Sequence, residues 1–244
     1  MDAAGERASA TDLGAEAPRA SATVPSARYV AIITDGNGRW ASAHGLSVND
    51  GHSAGADTVK ARLRDAVELG VKELTVYSFS TENWTRPPAE VQGLMEMLSR
   101  RISEETPELH SEGVRMRFIG RREGVPGGIV ELMQWAEALT AENSRVTLFV
   151  AFNYGGRAEI LDAAMRFEGG GEEEFRACLY APDMHDPDLI IRTSGERRLS
   201  NFLLWQSAYS ELVFRDELWP DFSRASLEAC LDEYAARRRR FGGR

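Results

Sequence analysis

The sequence predicts an α/β fold: a single domain with a mainly parallel six-stranded sheet flanked by helices. Three observations predict it. Short, β-branched apolar runs alternate along the chain with segments whose apolar residues return at helical spacing, the pattern of parallel strands joined by crossover helices. Several runs end in polar loops carrying glycine, asparagine and arginine. A chain of 244 residues with 43% hydrophobic content can bury a substantial core in one domain.

Residues 1–28 are rich in Ala, Ser, Thr, Gly and Pro with scattered charges. They lack a basic segment followed by an apolar one, so they read as a disordered tail and not as a secretory signal. The folded domain is expected over residues 29–244. Tyr29 to Thr34 is continuous, apolar and β-branched, a buried first strand. The loop Asp35-Gly36-Asn37-Gly38-Arg39-Trp40 follows it. From His52 a helix is predicted to about Gly70, with Val59, Leu63, Ala66 and Val67 on one face; Gly70 suits its terminus. Glu73 to Phe79 is a second strand, running into Ser80 to Arg86 and two prolines. Val91, Leu94, Met95, Leu98 and Ile102 then mark a helix that Pro107 should end or kink.

Val114 to Ile119 is a third strand and Val125 to Glu142 a helix. Val146 to Phe152 is a fourth strand, ending in Asn153-Tyr154-Gly155-Gly156-Arg157 and a helix that fades into a surface linker at Glu168 to Glu172. Asp188 to Ile191 is a fifth strand, ending in Arg192-Thr193-Ser194-Gly195-Glu196-Arg197-Arg198. Leu212 to Phe214 is a short sixth strand, and a last helix runs from about Ser226 to Arg240.

The Asp35 loop offers a carboxylate, two glycines, an amide, a guanidinium and an indole. Gly36 and Gly38 let backbone N–H groups approach an anion, and Arg39 adds a planar fork for phosphate oxygens. Asp35 suits a hard cation such as Mg2+, which binds through one or two carboxylates plus substrate phosphates. The structural alternative is an ordinary strand-to-helix turn, since turn chemistry favours the same residues. The loop is neither a Walker A motif nor a G-x-G-x-x-G fingerprint. Because the polar loops all follow strands, Asp35, Asn83, Arg86, Arg192 and Arg198 should gather at one sheet edge.

A net charge of −9 argues against nucleic acid as a partner; phosphate binding would need a local arginine cluster or a metal. Cys178 and Cys230 lack metal-site spacing and fit a reducing, cytoplasmic setting. No apolar run approaches the ~20 residues of a membrane span.

The motifs Asp35 to Trp40, Gly51-His52, Ser78 to Pro87, Asn153 to Arg157, Ile191 to Glu196, Leu199 to Phe202 and Trp219-Pro220 together resemble the cis-prenyltransferases, most closely the bacterial isoprenyl transferases that make undecaprenyl diphosphate. The resemblance spans nearly all of residues 29–243. It implies a homodimer that condenses isopentenyl diphosphate onto an allylic diphosphate, most readily farnesyl diphosphate, with Mg2+ and Z geometry. The long product would partition to the membrane, leaving the enzyme cytoplasmic and at most peripheral to it.

By position, the resemblance makes Asp35 the metal-binding catalytic carboxylate. It places Gly36, Asn37, Gly38, Arg39, Trp40 and His52 on the allylic substrate. Ser80, Thr81 and Glu82 precede Asn83, the family's proposed proton acceptor, with Trp84 and Arg86 lining the same site. Arg192, Arg198, Leu199 and Ser200 fall on the isopentenyl diphosphate site, and Glu211 on a second metal ligand. Arg240-Phe241-Gly242 resembles a motif that reaches the partner subunit's site. An amide is a weak base, so Asn83 is better read as orienting a water or a diphosphate oxygen.

Three positions depart from the family pattern: Tyr29 for His, Thr34 for Met and Val48 for Arg. The last removes a charge from the allylic diphosphate site; Lys60 and Arg62 are the nearby cations that could replace it. The apolar stripe from Val91 to Ile102 reads as core by spacing alone and as a product-tunnel wall by resemblance. Ser78 would face that tunnel, opposite to Tyr77 and Phe79 by strand alternation. The basic run from Arg237 also suits the negative end of a helix dipole. Two other readings stay open: a short or irregular product, and a non-catalytic partner chain, which would be expected to lose residues that are present here.

Overall fold

The computed structural model describes residues 27–237. Most of the predicted tail, and the Arg240-Phe241-Gly242 motif, lie outside the described residues. In chain order the elements are β1 (Tyr29–Ile33), α1 (Asn37–Ala43), α2 (Val48–Glu68), β2 (Glu73–Ser80), α3 (Pro88–Ser111), β3 (Val114–Ile119), α4 (Gly127–Leu139), β4 (Val146–Tyr154), α5 (Gly156–Arg166), α6 (Glu172–Arg176), β5 (Leu189–Arg192), β6 (Glu211–Phe214) and α7 (Arg224–Ala236). Short 3-10 turns occupy Thr81–Thr85 and Trp219–Asp221.

The six strands form one sheet in the order β3-β4-β2-β1-β5-β6. Every pairing is parallel, as the alternation of strands and helices requires. From β1 the chain steps to β2 on one side and later returns to β5 on the other. That reversal opens a crevice beyond the carboxyl ends of β1 and β5, where open α/β sheets bind ligands. Ile33 of β1 is in register with Arg192 of β5, so Asp35 and Arg192 emerge side by side.

Parallel strands are buried on both faces, and two apolar clusters result. Val76, Met116, Phe118, Leu148, Val150 and Phe152 join one cluster, together with residues of α2, α3, α4 and α7. Ala31, Ile33, Phe149, Ala151, Tyr154, Ile190 and Phe202 form the other. The two-residue period of each strand divides them.

Element boundaries differ from expectation where local chemistry decided them. The Asp35 loop is short because α1 begins at Asn37. α2 starts at Val48, four residues before His52, because Ser47 and Asp50 form a reciprocal capping box. α3 runs through Pro107 without ending. The proline has no N–H for the carbonyl of Ser103, but that residue is exposed, so solvent can satisfy it. α4 is shorter than predicted at both ends, and the helix α6 begins at Glu172, where the expected linker ends. α7 ends at Ala236; its following residue, Arg237, pairs with Glu211 at 2.8 Å and also with Glu233.

Candidate active site

The local sequence builds the site from the sheet edge outward. Gly36 holds a left-handed φ of 116°, and a Cβ there would press on Leu218, so only glycine turns the chain from β1 into α1 at this point. Thr193 secures the turn: its hydroxyl donates to the Asp35 carbonyl at 2.7 Å and lies 3.1 Å from the Asp35 N–H. The Trp219 N–H donates to the same carbonyl at 3.0 Å, while its fully buried indole donates to Gly55 at 2.8 Å. Trp219-Pro220 is therefore a brace between β1 and α2.

Arg192 is buried, and its guanidinium bonds the Asp35 carboxylate at 2.8 Å. The same group reaches the Ser200 hydroxyl at 2.7 Å and the Arg198 carbonyl. Its Nε has no partner. A buried guanidinium requires anionic or carbonyl neighbours. Arg39 lies 3.9 Å from the other Asp35 oxygen and bonds the Ser194 carbonyl at 3.2 Å. The segment that carries Ser200 is strained. Ser194, Ser200, Asn201 and Leu203 all have positive φ, at roughly 1–3 kcal/mol each for residues other than glycine.

His52 and Arg86 share one acceptor, Glu90, at 3.3 and 2.9 Å. Burial pushes the His52 imidazole below its ordinary value, the Glu90 hydrogen bond opposes the shift, and the Arg86 charge adds to it. The Asn83 side-chain oxygen accepts from the Ser80 N–H at 2.9 Å. That oxygen is committed to capping the 3-10 turn, which supports an orienting role over proton abstraction. Glu82 is desolvated, yet the Asn201 amide at 2.9 Å helps hold its carboxyl below the usual range. Tyr77, whose hydroxyl burial drives upward, donates to the Tyr154 carbonyl at 3.1 Å.

These groups converge. One cleft is lined by Asp35, Asn37, His52, Ser80, Glu82, Asn83, Arg86, Arg192 and Ser200. A second, contiguous through Asp35, Asn37, His52 and Arg86, adds Gly36, Gly38, Arg39, Val48 and Glu90. Thr34, Asn37, His52, Ser78 and Leu94 also line a third space, about 930 Å³ counted with its open mouth, between the sheet and the helices α2 and α3. Its walls include Val59, Leu98, Ile102, Leu109, Met116, Phe118, Leu148, Val150 and Phe152. A polar, arginine-bearing cleft thus opens directly onto a largely apolar cavity.

Several expected site residues do other work. Trp40 donates its indole N–H to Asp221 at 2.8 Å, and Trp84 donates to Asn153 at 2.7 Å while packing against Phe79. Both indoles position the loops. Thr81 packs against Gly155, and Leu199 packs on the second apolar cluster. Arg198 is exposed and paired with Glu196; only its carbonyl meets Arg192.

Glu211 requires a correction within one chain. It begins β6 in register with Leu189, level with Val30. That places it roughly 16 Å along the strand direction from Asp35, bonded to Arg237. It cannot share a metal with Asp35 of the same chain.

Lys60 and Arg62 do not compensate for Val48, because they pair with Glu108 and Asp65. Tyr29 stacks on His185 at 4.1 Å, beside Glu73 at the opposite end of the strands. In the α3 stripe, Leu94, Leu98 and Ile102 face the cavity, whereas Met95 lies on the groove toward Ile129. Ser78 faces the cavity as expected, but so does Phe79. A bulge between Tyr77 and Phe79 in the pairing with β4 breaks the alternation. Glu90, Asn201, Tyr77 and Gly55 were missed; only the i,i+4 spacing of Arg86 and Glu90 was a readable signal.

No group of three or more His, Cys, Asp or Glu side chains that could hold a metal occurs among the described residues. Asp35 instead presents one partly exposed carboxylate to the cleft. That donor set fits a hard cation which arrives with phosphate oxygens, as Mg2+ commonly does.

Comparison with known proteins agrees with this geometry. A family profile for undecaprenyl diphosphate synthases matches residues 33–242. The chain is 51% identical over 226 residues to isoprenyl transferase 2 of Bradyrhizobium diazoefficiens, covering 88% of this chain and 90% of that one. It is 51% identical to the isoprenyl transferase of Thermotoga maritima, covering 88% and 97%. Its structure is similar to that of lavandulyl diphosphate synthase from Lavandula x intermedia, solved with dimethylallyl diphosphate, with TM-score 0.86, 33% identity and coverage of 89% and 99%.

Proposed function

The chain belongs to the undecaprenyl diphosphate synthase family of cis-prenyltransferases, and from that premise we propose that it condenses isopentenyl diphosphate with farnesyl diphosphate into a long, Z-configured polyprenyl diphosphate of the undecaprenyl class. The observation that carries this reading is the shared wall of Thr34, Asn37, His52, Ser78 and Leu94. It joins an anion-binding cleft to an apolar cavity, matching a substrate with a diphosphate head and a hydrocarbon tail.

Arg39, Arg86 and His52 hold the allylic diphosphate beside α1. Arg192 and Ser200 hold the second diphosphate across the β1/β5 crevice. Breaking the allylic C–O bond places positive charge on carbon and negative charge on the leaving oxygens. Arg39 and Arg86 stabilise those oxygens, and the two sites hold the double bond of isopentenyl diphosphate near the allylic carbon it attacks. Asp35 would hold Mg2+, which when bound would supply Lewis-acid stabilisation of the departing anion. Asn83 orients the group, water or diphosphate oxygen, that takes the final proton.

The working unit in this reading is a homodimer, because Glu211 approaches an Asp35 site only from a second copy. No helix among the described residues is long and apolar enough to cross a membrane, which suits a cytoplasmic enzyme whose product moves to the membrane. The test is mass spectrometry of products made from isopentenyl diphosphate with farnesyl or geranyl diphosphate. A ladder ending in one long polyprenyl diphosphate is expected with farnesyl diphosphate, and Asp35→Ala should lower kcat ~10³-fold or more. A single short condensation product would favour the irregular-product reading, raised by Val48 in the cleft and by the likeness to the lavandulyl enzyme. No turnover would favour a non-catalytic chain.

A further inference from the structure

The apolar cavity has the sheet as its floor and α2 and α3 as its roof. Helices over an apolar space ordinarily meet through apolar side chains, yet here charged pairs tie them together along their length. His52 meets Glu90, Asp57 meets Arg101, Lys60 meets Glu108, and Arg64 meets both Glu108 and Glu112. Arg101 is the member of this seam that also lines the cavity as a cation. Its guanidinium bonds Asp57 at 2.5 Å and Glu105 at 2.7 Å, then the Ser53 hydroxyl at 3.0 Å and the Ser53 carbonyl at 3.2 Å.

We propose that this ion-paired seam closes the side of the product cavity, and that Arg101 is the specificity-determining residue that holds the seam shut and so limits product length. The inference rests on the proposed function and extends it to the termination step. α3 rises 1.5 Å per residue, so Arg101 sits roughly 10 Å below Leu94 at the mouth, and Leu109 roughly 12 Å further. A growing hydrocarbon passes beneath Arg101 before it reaches the bottom. It cannot leave between the helices while the guanidinium is satisfied, because parting the seam would strip paired charges beside an apolar chain. Elongation therefore stops when the enclosed space is filled. A weakened seam gives the chain a lateral way out, and growth continues past that limit.

Two variants separate the seam from cavity volume. Arg101→Met removes the charge at similar length. Asp57→Asn breaks the pair from outside, since the Asp57 side chain is 65% exposed and does not line the cavity. Full-length wild type and both variants would be given farnesyl diphosphate and excess isopentenyl diphosphate, with product lengths read by mass spectrometry and melting temperatures measured alongside. The first condensation should stay within ~2-fold of wild type. Both variants should give longer and broader products, by at least one isoprene unit. Raising salt from ~50 mM to ~500 mM should move wild type in the same direction, because exposed pairs are screened. An unchanged distribution in Asp57→Asn, whatever its melting temperature, overturns the proposal. So does a shift in Arg101→Met alone, which would be a volume effect. A wild type that makes no polyprenyl product would overturn the proposed function and this inference with it. Normal elongation by wild type beside unchanged variants overturns this inference only.

Discussion

Single side chains set the charge balance of the cleft. Val48 lines the pocket shared with Arg39, Arg86 and His52, and the neighbouring cations are engaged elsewhere. Val48→Arg should lower KM for the allylic diphosphate about 10-fold or more, since a charge-assisted contact contributes roughly 1.5–3 kcal/mol; steady-state kinetics at fixed isopentenyl diphosphate would show it. His52 gives a pH signature. Its folded-state pKa is depressed by burial below the unfolded value of 6.5, so the unfolded chain binds the extra proton in the window just below 6.5. Stability from this group is present above that window and is lost as pH falls through it toward the folded value. His52→Asn should therefore lose less melting temperature than wild type between about pH 7 and about pH 5. Ser78 stands on a bulge at the junction of cleft and cavity. Ser78→Leu should shorten the product while sparing the first condensation. A lowered melting temperature with unchanged product would instead mark plain overpacking, ~1–3 kcal/mol.

At the scale of elements, the seat of α1 on α2 decides whether Asn37 and Arg39 reach the cleft. A Cβ at Gly51 would overlap the Asn37 carbonyl, and one at Gly55 would overlap the Asn37 amide. The helices approach this closely because α2 carries glycines one turn apart. Gly51→Ala gains about 1 kcal/mol of helix propensity. It also forces backbone apart, which costs more when the obstacle cannot rotate away. The net outcome expected is lower stability and a raised KM for the allylic diphosphate, measured by denaturant melts and kinetics on one preparation. A variant as stable and active as wild type would show that α1 relaxes freely.

For the whole molecule, the proposed function has the sheet order bring two diphosphates to one crevice, where arginines and a cation would offset their mutual repulsion. Turnover should require Mg2+ and vanish in excess EDTA, returning when Mg2+ is restored. Full activity in chelator would remove Asp35 from metal binding. Against the acidic net charge of −9, the local concentration of Arg39, Arg86 and Arg192 at the cleft favours the approach of anionic substrates. KM for both diphosphates should rise with ionic strength accordingly.

Much of this architecture was determined by sequence alone. Strand runs ending in Asp35, Asn83 and Arg192 loops specify a parallel sheet and one functional edge, because β-branched periodicity and helix spacing are local properties. Strong motifs over nearly the whole folded chain likewise identified the family. Tertiary structure decided the rest. Glu211 stands at the wrong end of its own sheet, since strand register, and not sequence order, sets height along the strands. Trp40 and Trp84 turned away from the cleft to acceptors distant in the chain, the exposed Asp221 and the buried Asn153. Phe79 joined Ser78 on the cavity side because a bulge in the β2–β4 pairing shifted the alternation. The α2–α3 seam joins residues 38 to 48 apart, at a spacing no local period announces. Such features depend on partners distant in the chain, and only folding brings those partners together.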